Sequence, residues 1–115
     1  MKIIVVIVVV LSLIALLIYL FPLANVVGLS MHPTLRPNQI IFTTRIFRRF
    51  TLKSGCLYIF NHDGKKVIKR LKFSDSFGNC YFLGDNSIES YDSRYYGFVN
   101  KKNIVAKVLW FKSNN

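Results

Sequence analysis

Ser30 lies in GLSMHPTLRP, a stretch without apolar periodicity that closely follows a long apolar run. Pro33 restricts His32 to extended geometry and Pro37 stiffens the segment further, so Ser30 belongs to a loop more rigid than a solvent loop needs. A serine hydroxyl becomes a useful nucleophile only when a base takes its proton. His32 stands two residues from Ser30 with its backbone committed by Pro33, and His62 falls in an expected turn, so neither is well placed as that base.

Lysine is the remaining class. In KKVIKRLKF, strand alternation puts Val67, Lys69 and Leu71 on one face and Ile68 and Arg70 on the other. Burial of the Val67 and Leu71 face would leave the Lys69 ammonium poorly solvated, lower its pKa and make the neutral amine available as a base. The same alternation also permits Lys69 to face solvent. A second polar segment, GDNSIESYDSR from Gly84 to Arg94, is irregular and long for a structural turn. Asp92 and Arg94 can pair across a bend there, while Gly84, Asn86 and Gly97 tolerate unusual backbone angles. Ordering such a loop costs entropy, and domains keep such loops to hold a site. Asp85 is an alternative general base or metal ligand, but it has no partner carboxylate.

The elements that must carry these residues follow from pattern. Ile3 to Phe21 has no charge and spans roughly 28 Å as a helix at about 1.5 Å per residue, close to the hydrocarbon thickness of a bilayer. A cleaved signal peptide is the competing reading. Its apolar core usually runs ~7–15 residues, and Pro22 occupies a position where a small side chain is wanted. Residues 1–24 therefore read as a membrane anchor and 25–115 as one compact β domain. Strands are expected at Gln39 to Thr44, Cys56 to Phe60, Lys65 to Lys72, Cys80 to Leu83 and Ile104 to Phe111, with a hairpin turn at Asn61 to Gly64. No second helix is indicated, and the fold class is mostly β.

The chain carries 16 Lys and Arg against 5 Asp and Glu, a formal charge of +11, and every basic residue except Lys2 lies beyond the apolar run. That balance suits anionic membrane lipids, and the anchor argues against nucleic acid as a partner. Phe42, Phe47, Phe50, Tyr95 and Tyr96 are candidates for an interfacial apolar surface, or for ordinary β core. Cys56 and Cys80 permit one disulfide or two buried thiols, and no Cys or His stands at ligand spacing for a metal.

Taken together, SMHPTL (Ser30 to Leu35), VIKRL (Val67 to Leu71) and GDNSIESYDSRYYGFV (Gly84 to Val99), in that order after an apolar segment, resemble the type I signal peptidase family of membrane-anchored Ser/Lys proteases. The resemblance implies a small signal-peptidase-like β domain after one transmembrane helix, with Ser30 as nucleophile and Lys69 as general base. It implies that Ser90 orients the lysine amine and that the Asp92 and Arg94 pair supports that wall of the site. The oxyanion would be met by the Ser30 backbone N–H, and Gly28 takes a position where some relatives add a serine hydroxyl. No cofactor is implied.

Departures from the family pattern are Cys56 after Gly55, Leu29 before the nucleophile, and a very short stretch between Arg70 and Tyr81. The implied substrates are precursor proteins bearing signal or leader peptides. The implied location is the prokaryotic cytoplasmic membrane, single-pass, with the catalytic domain on the extracytoplasmic side. Two alternatives remain: a dedicated maturation protease for one precursor, such as the leader of a nickel-type superoxide dismutase, and a non-enzymatic anchored basic binding module.

Overall fold

The apolar run is a single helix, α1 (Lys2–Leu20), in the computed structural model, which describes residues 1–47 and 51–112. The start of α1 is β-branched and a poor helix former in water, but a helix satisfies its own backbone wherever water is absent. None of its residues is buried against the rest of the chain, and it is long and apolar enough to cross a membrane. Its last turn is tied to the domain that follows. The Leu20 carbonyl accepts from the Arg45 N–H at 2.8 Å and the Thr44 hydroxyl at 3.2 Å, and Arg45 Nε donates to the Tyr19 carbonyl at 2.8 Å. The Arg45 guanidinium also lies over the Tyr19 ring, 4.7 Å from its centroid. A cation thus meets the negative end of the helix dipole and its unpaired carbonyls.

Among the described residues, seven antiparallel strands form one sheet: β1 (Leu23–Asn25), β2 (Ile40–Thr44), β3 (Leu57–His62), β4 (Lys65–Ser74), β5 (Asn79–Leu83), β6 (Val99–Asn100) and β7 (Ile104–Trp110). Their order is β1-β2-β7-β3-β4-β5-β6. The β3–β4 hairpin turns at Asp63 and Gly64, both at positive φ, as the right-handed strand twist prefers. The mostly β class and the five expected strands are present with ends shifted by one or two residues. β1 and β6 are additions, too short to show alternation in sequence.

A second helix, contrary to the sequence reading, exists as the single turn α2 (Ser93–Tyr96), capped by the Asp92 side chain accepting from the Arg94 N–H. One turn leaves no periodicity to read.

Alternate residues of β3 serve two apolar clusters. Tyr58 and Phe60 pack with Leu71, Cys80, Phe82, Val99 and Ile104, whereas Leu57 packs with Val26, Met31, Leu35, Ile41 and Val108. Both cysteines are free thiols that touch the first cluster.

The aromatic residues divide between core and surface. Phe47 and Tyr96 pack against the first cluster, while Phe42 and Tyr95 are exposed. Arg48, Arg49, Phe50 and residues 113–115 lie outside the described residues.

Candidate active site

β4 turns its Val67, Lys69 and Leu71 face inward, opposite Tyr58 and Phe60 of β3. Lys69 is accordingly 5% exposed. Its ammonium is held below the ordinary lysine range by burial, against the opposing pull of the Asp92 carboxylate. Lys69 Nζ donates to Ser30 Oγ at 2.6 Å. Loss of one proton from the ammonium reverses that bond, so the serine hydroxyl then donates to a free amine.

Ser30 is carried by a run of hydrogen-bonded turns. The His32 N–H donates to the Leu29 carbonyl at 3.1 Å and the Leu35 N–H to the Met31 carbonyl at 2.9 Å. Met31 and Leu35, both buried, fasten the turn into the second core cluster. Gly28, at φ +83, enters it in the left-handed region that favours glycine. A donor side chain at this position would therefore strain the backbone, although the space around it is open.

The Gly84 to Arg94 segment forms the opposite wall. Asp92 is fully buried, and its Oδ2 accepts from the Gly84 N–H at 2.8 Å and the Ser90 hydroxyl at 2.7 Å. Arg94 Nε donates to Asp92 Oδ1 at 2.9 Å. Burial pushes the Asp92 carboxyl up, but the Arg94 guanidinium and these donors outweigh it and hold the group at about 2. Ser90 gives its proton to Asp92, and no hydrogen bond among the described residues joins Ser90 to Lys69. Gly84 has no room for a side chain: a Cβ there would stand 2.6 Å from the Ser30 carbonyl oxygen and from Ser90 Cβ.

Sequence reasoning missed a second clamp on the Ser30 turn. Asp85, read as a candidate base, is instead held by Arg70, with Nε to Oδ1 at 2.8 Å and Nη2 to Oδ2 at 2.7 Å, and it also accepts from the Thr34 hydroxyl. Arg70 reaches on to the Gly55 carbonyl at 2.6 Å. The only signals in sequence were an aspartate without an apparent role and an arginine beside Lys69. Asn86, expected to supply only backbone freedom, donates from its N–H to the Ser30 carbonyl at 2.8 Å and from Nδ2 to the Leu29 carbonyl at 3.0 Å.

The two histidines stand apart from this arrangement. His32 is exposed, and His62, the last residue of β3, stacks on Tyr96 with 3.9 Å between ring centroids.

A cleft of about 360 Å³ opens onto the Ser30 and Lys69 pair, with Ala24, Val26, Ile41, Ile59 and Ile68 among its lining and Lys65 and Lys66 also on its wall. Apolar walls beside a hydroxyl poised on an amine suit nucleophilic attack on a carbonyl carried by an extended, weakly polar chain.

A family model described as signal peptidase, peptidase S26, matches residues 76–111. The matched stretch includes Gly84 to Arg94 and the last strand, and excludes Ser30 and Lys69. A signal peptidase I of Buchnera aphidicola subsp. Acyrthosiphon pisum is 39% identical over 49 residues, covering 43% of this chain. The aligned stretch spans 16% of that relative's length. The similarity is thus to a signal-peptidase-like protein at the level of the family.

Proposed function

We propose that the chain is a signal-peptidase-like serine endopeptidase in which Ser30 attacks the scissile carbonyl of a signal or leader peptide and Lys69 accepts its proton. The observation that carries this reading is the 2.6 Å contact between Ser30 Oγ and a buried lysine whose pKa is lowered by desolvation. Such a lysine gives up its proton more readily than an exposed one and so serves better as a base. The family match and the apolar cleft ending at the pair support the same reading.

In this mechanism the proton moves from Oγ to Nζ as Oγ bonds to the carbonyl carbon, and the oxyanion is met by the Ser30 N–H. Collapse breaks the peptide bond, and Lys69 returns the proton to the leaving amine. Water, deprotonated by the now neutral Lys69 Nζ, then hydrolyses the acyl-enzyme and releases Ser30. Asp92 and Arg94 touch no reacting atom: they keep the wall beside Lys69 in place and fix its charge. Residues 1–24 serve as the anchor and 25–115 as the catalytic domain, facing the extracytoplasmic side of a prokaryotic membrane, where exported precursors emerge.

The test is cleavage of a preprotein bearing an Ala-x-Ala site by the full chain in detergent micelles, with the cut mapped by mass spectrometry. Ser30→Ala and Lys69→Ala each abolish turnover while leaving substrate binding and the thermal melt in place. Undiminished cleavage by either variant rejects the dyad.

A further inference from the structure

Two hydrogen bonds from Asn86 enclose the peptide unit that carries the nucleophile. Its side-chain nitrogen donates to the Leu29 carbonyl at 3.0 Å, an assignment fixed by chemistry because a carbonyl can only accept. Its backbone N–H holds the next carbonyl, that of Ser30, at 2.8 Å. The Leu29 carbonyl also accepts from the His32 N–H at 3.1 Å. In a planar trans peptide the C=O and the following N–H point in opposite directions, so fixing the Leu29 carbonyl fixes the direction of the Ser30 N–H. Among the described residues no hydrogen bond uses the Ser30 N–H as donor.

We infer that Asn86 is a positioning residue that aims the Ser30 backbone N–H at the oxygen of the attacked carbonyl. This rests on the proposed protease reading and adds to it the device that sets the oxyanion donor. The device matters here because Gly28 offers no side-chain donor to share the task. A donor is useful to a transition state only if it already points where charge develops, since reorienting it during the reaction would cost part of the stabilisation. Asn86 touches no substrate atom in this role. It acts through the Leu29–Ser30 peptide plane, whose carbonyl it holds together with the His32 N–H.

The experiment compares wild type, Asn86→Ala and Asn86→Asp as full chains in micelles, with the Ala-x-Ala preprotein as substrate. Asp keeps the size of Asn and the backbone N–H but cannot donate from its side chain. Both variants are expected to lower kcat roughly ten- to hundredfold, short of the loss from deleting a donor outright, with KM within about twofold. A peptide aldehyde, which forms a tetrahedral adduct on Ser30, weakens by the same factor as kcat, while the matching peptide alcohol binds unchanged. An unchanged kcat, or a loss confined to KM, overturns the inference and leaves the protease reading intact.

A readout independent of turnover separates the two claims. The Ser30 amide resonance of the full chain shifts in Asn86→Asp if the peptide plane depends on the side-chain donor. An unmoved resonance rejects the inference even where no substrate is cleaved, whereas failure of wild type to cleave rejects the protease reading alone.

Discussion

A lysine acts as a base only while neutral, and Lys69 owes its lowered pKa to burial on the inner face of β4. Asp92 works against that, since its ionised carboxylate favours the ammonium. Arg94 tempers the field by pairing with Asp92 at 2.9 Å. The activity of the intact chain should therefore rise with pH through a titration lying below the ordinary lysine range. Removing the Asp92 charge removes a cause that raises the Lys69 pKa, so in Asp92→Asn the rising limb moves to lower pH. A pH series of kcat/KM on both proteins measures this, and a limb displaced to higher pH would contradict the assigned cause.

At the scale of elements, the site depends on how closely two loops approach. Gly84 lies between Ser90 and the Ser30 carbonyl with no space for one more carbon. Gly84→Ala must part the walls, and overpacking of this kind costs about 1–3 kcal/mol. A lower thermal midpoint together with reduced turnover is the expected result, and an unchanged midpoint would show the contact to be dispensable. Little of this approach was legible in sequence. Alternation gave the strand of Lys69, because period-2 burial is a local property, and the two prolines marked the Ser30 segment as constrained.

The contacts from Thr34 to Asp85 and from Asn86 to Leu29 join residues far apart in the chain and leave no local trace. Asn86 could be read only as a turn former for that reason. The hydroxyl of Ser90 shows the same limit, since its choice of Asp92 depends on a carboxylate whose burial only the folded chain provides.

The whole molecule has an apolar edge beside the end of α1. Leu23, Phe42 and Trp110 occupy paired positions on β1, β2 and β7, and the Phe42 and Trp110 rings lie 5.6 Å apart between centroids. All three are exposed, as is Phe21, two residues before Leu23 in the chain. Aromatic rings in such a place suit the headgroup region of a bilayer, and the excess of basic residues suits its anionic lipids. Trp110 is the only tryptophan, so its fluorescence reports this edge alone. In reconstituted bilayers its emission should be quenched more by lipids brominated near the headgroup than by those brominated near the midplane. Absence of quenching by either would place the edge in water.

The hold of Arg45 and Thr44 on the last turn of α1 has a further consequence once that helix lies in a bilayer. A floppy tether would let the nucleophile sweep a volume and cut whatever drifted within reach. A helix bolted to the second strand makes the elevation of Ser30 above the lipid a fixed dimension of the fold. Under the proposed function, precursors with identical residues around the cut are expected to differ in how well they are processed according to how far that bond sits from their own embedded segment. On that reading the protein would measure as well as recognise, and the length of the substrate's stalk would become part of its address.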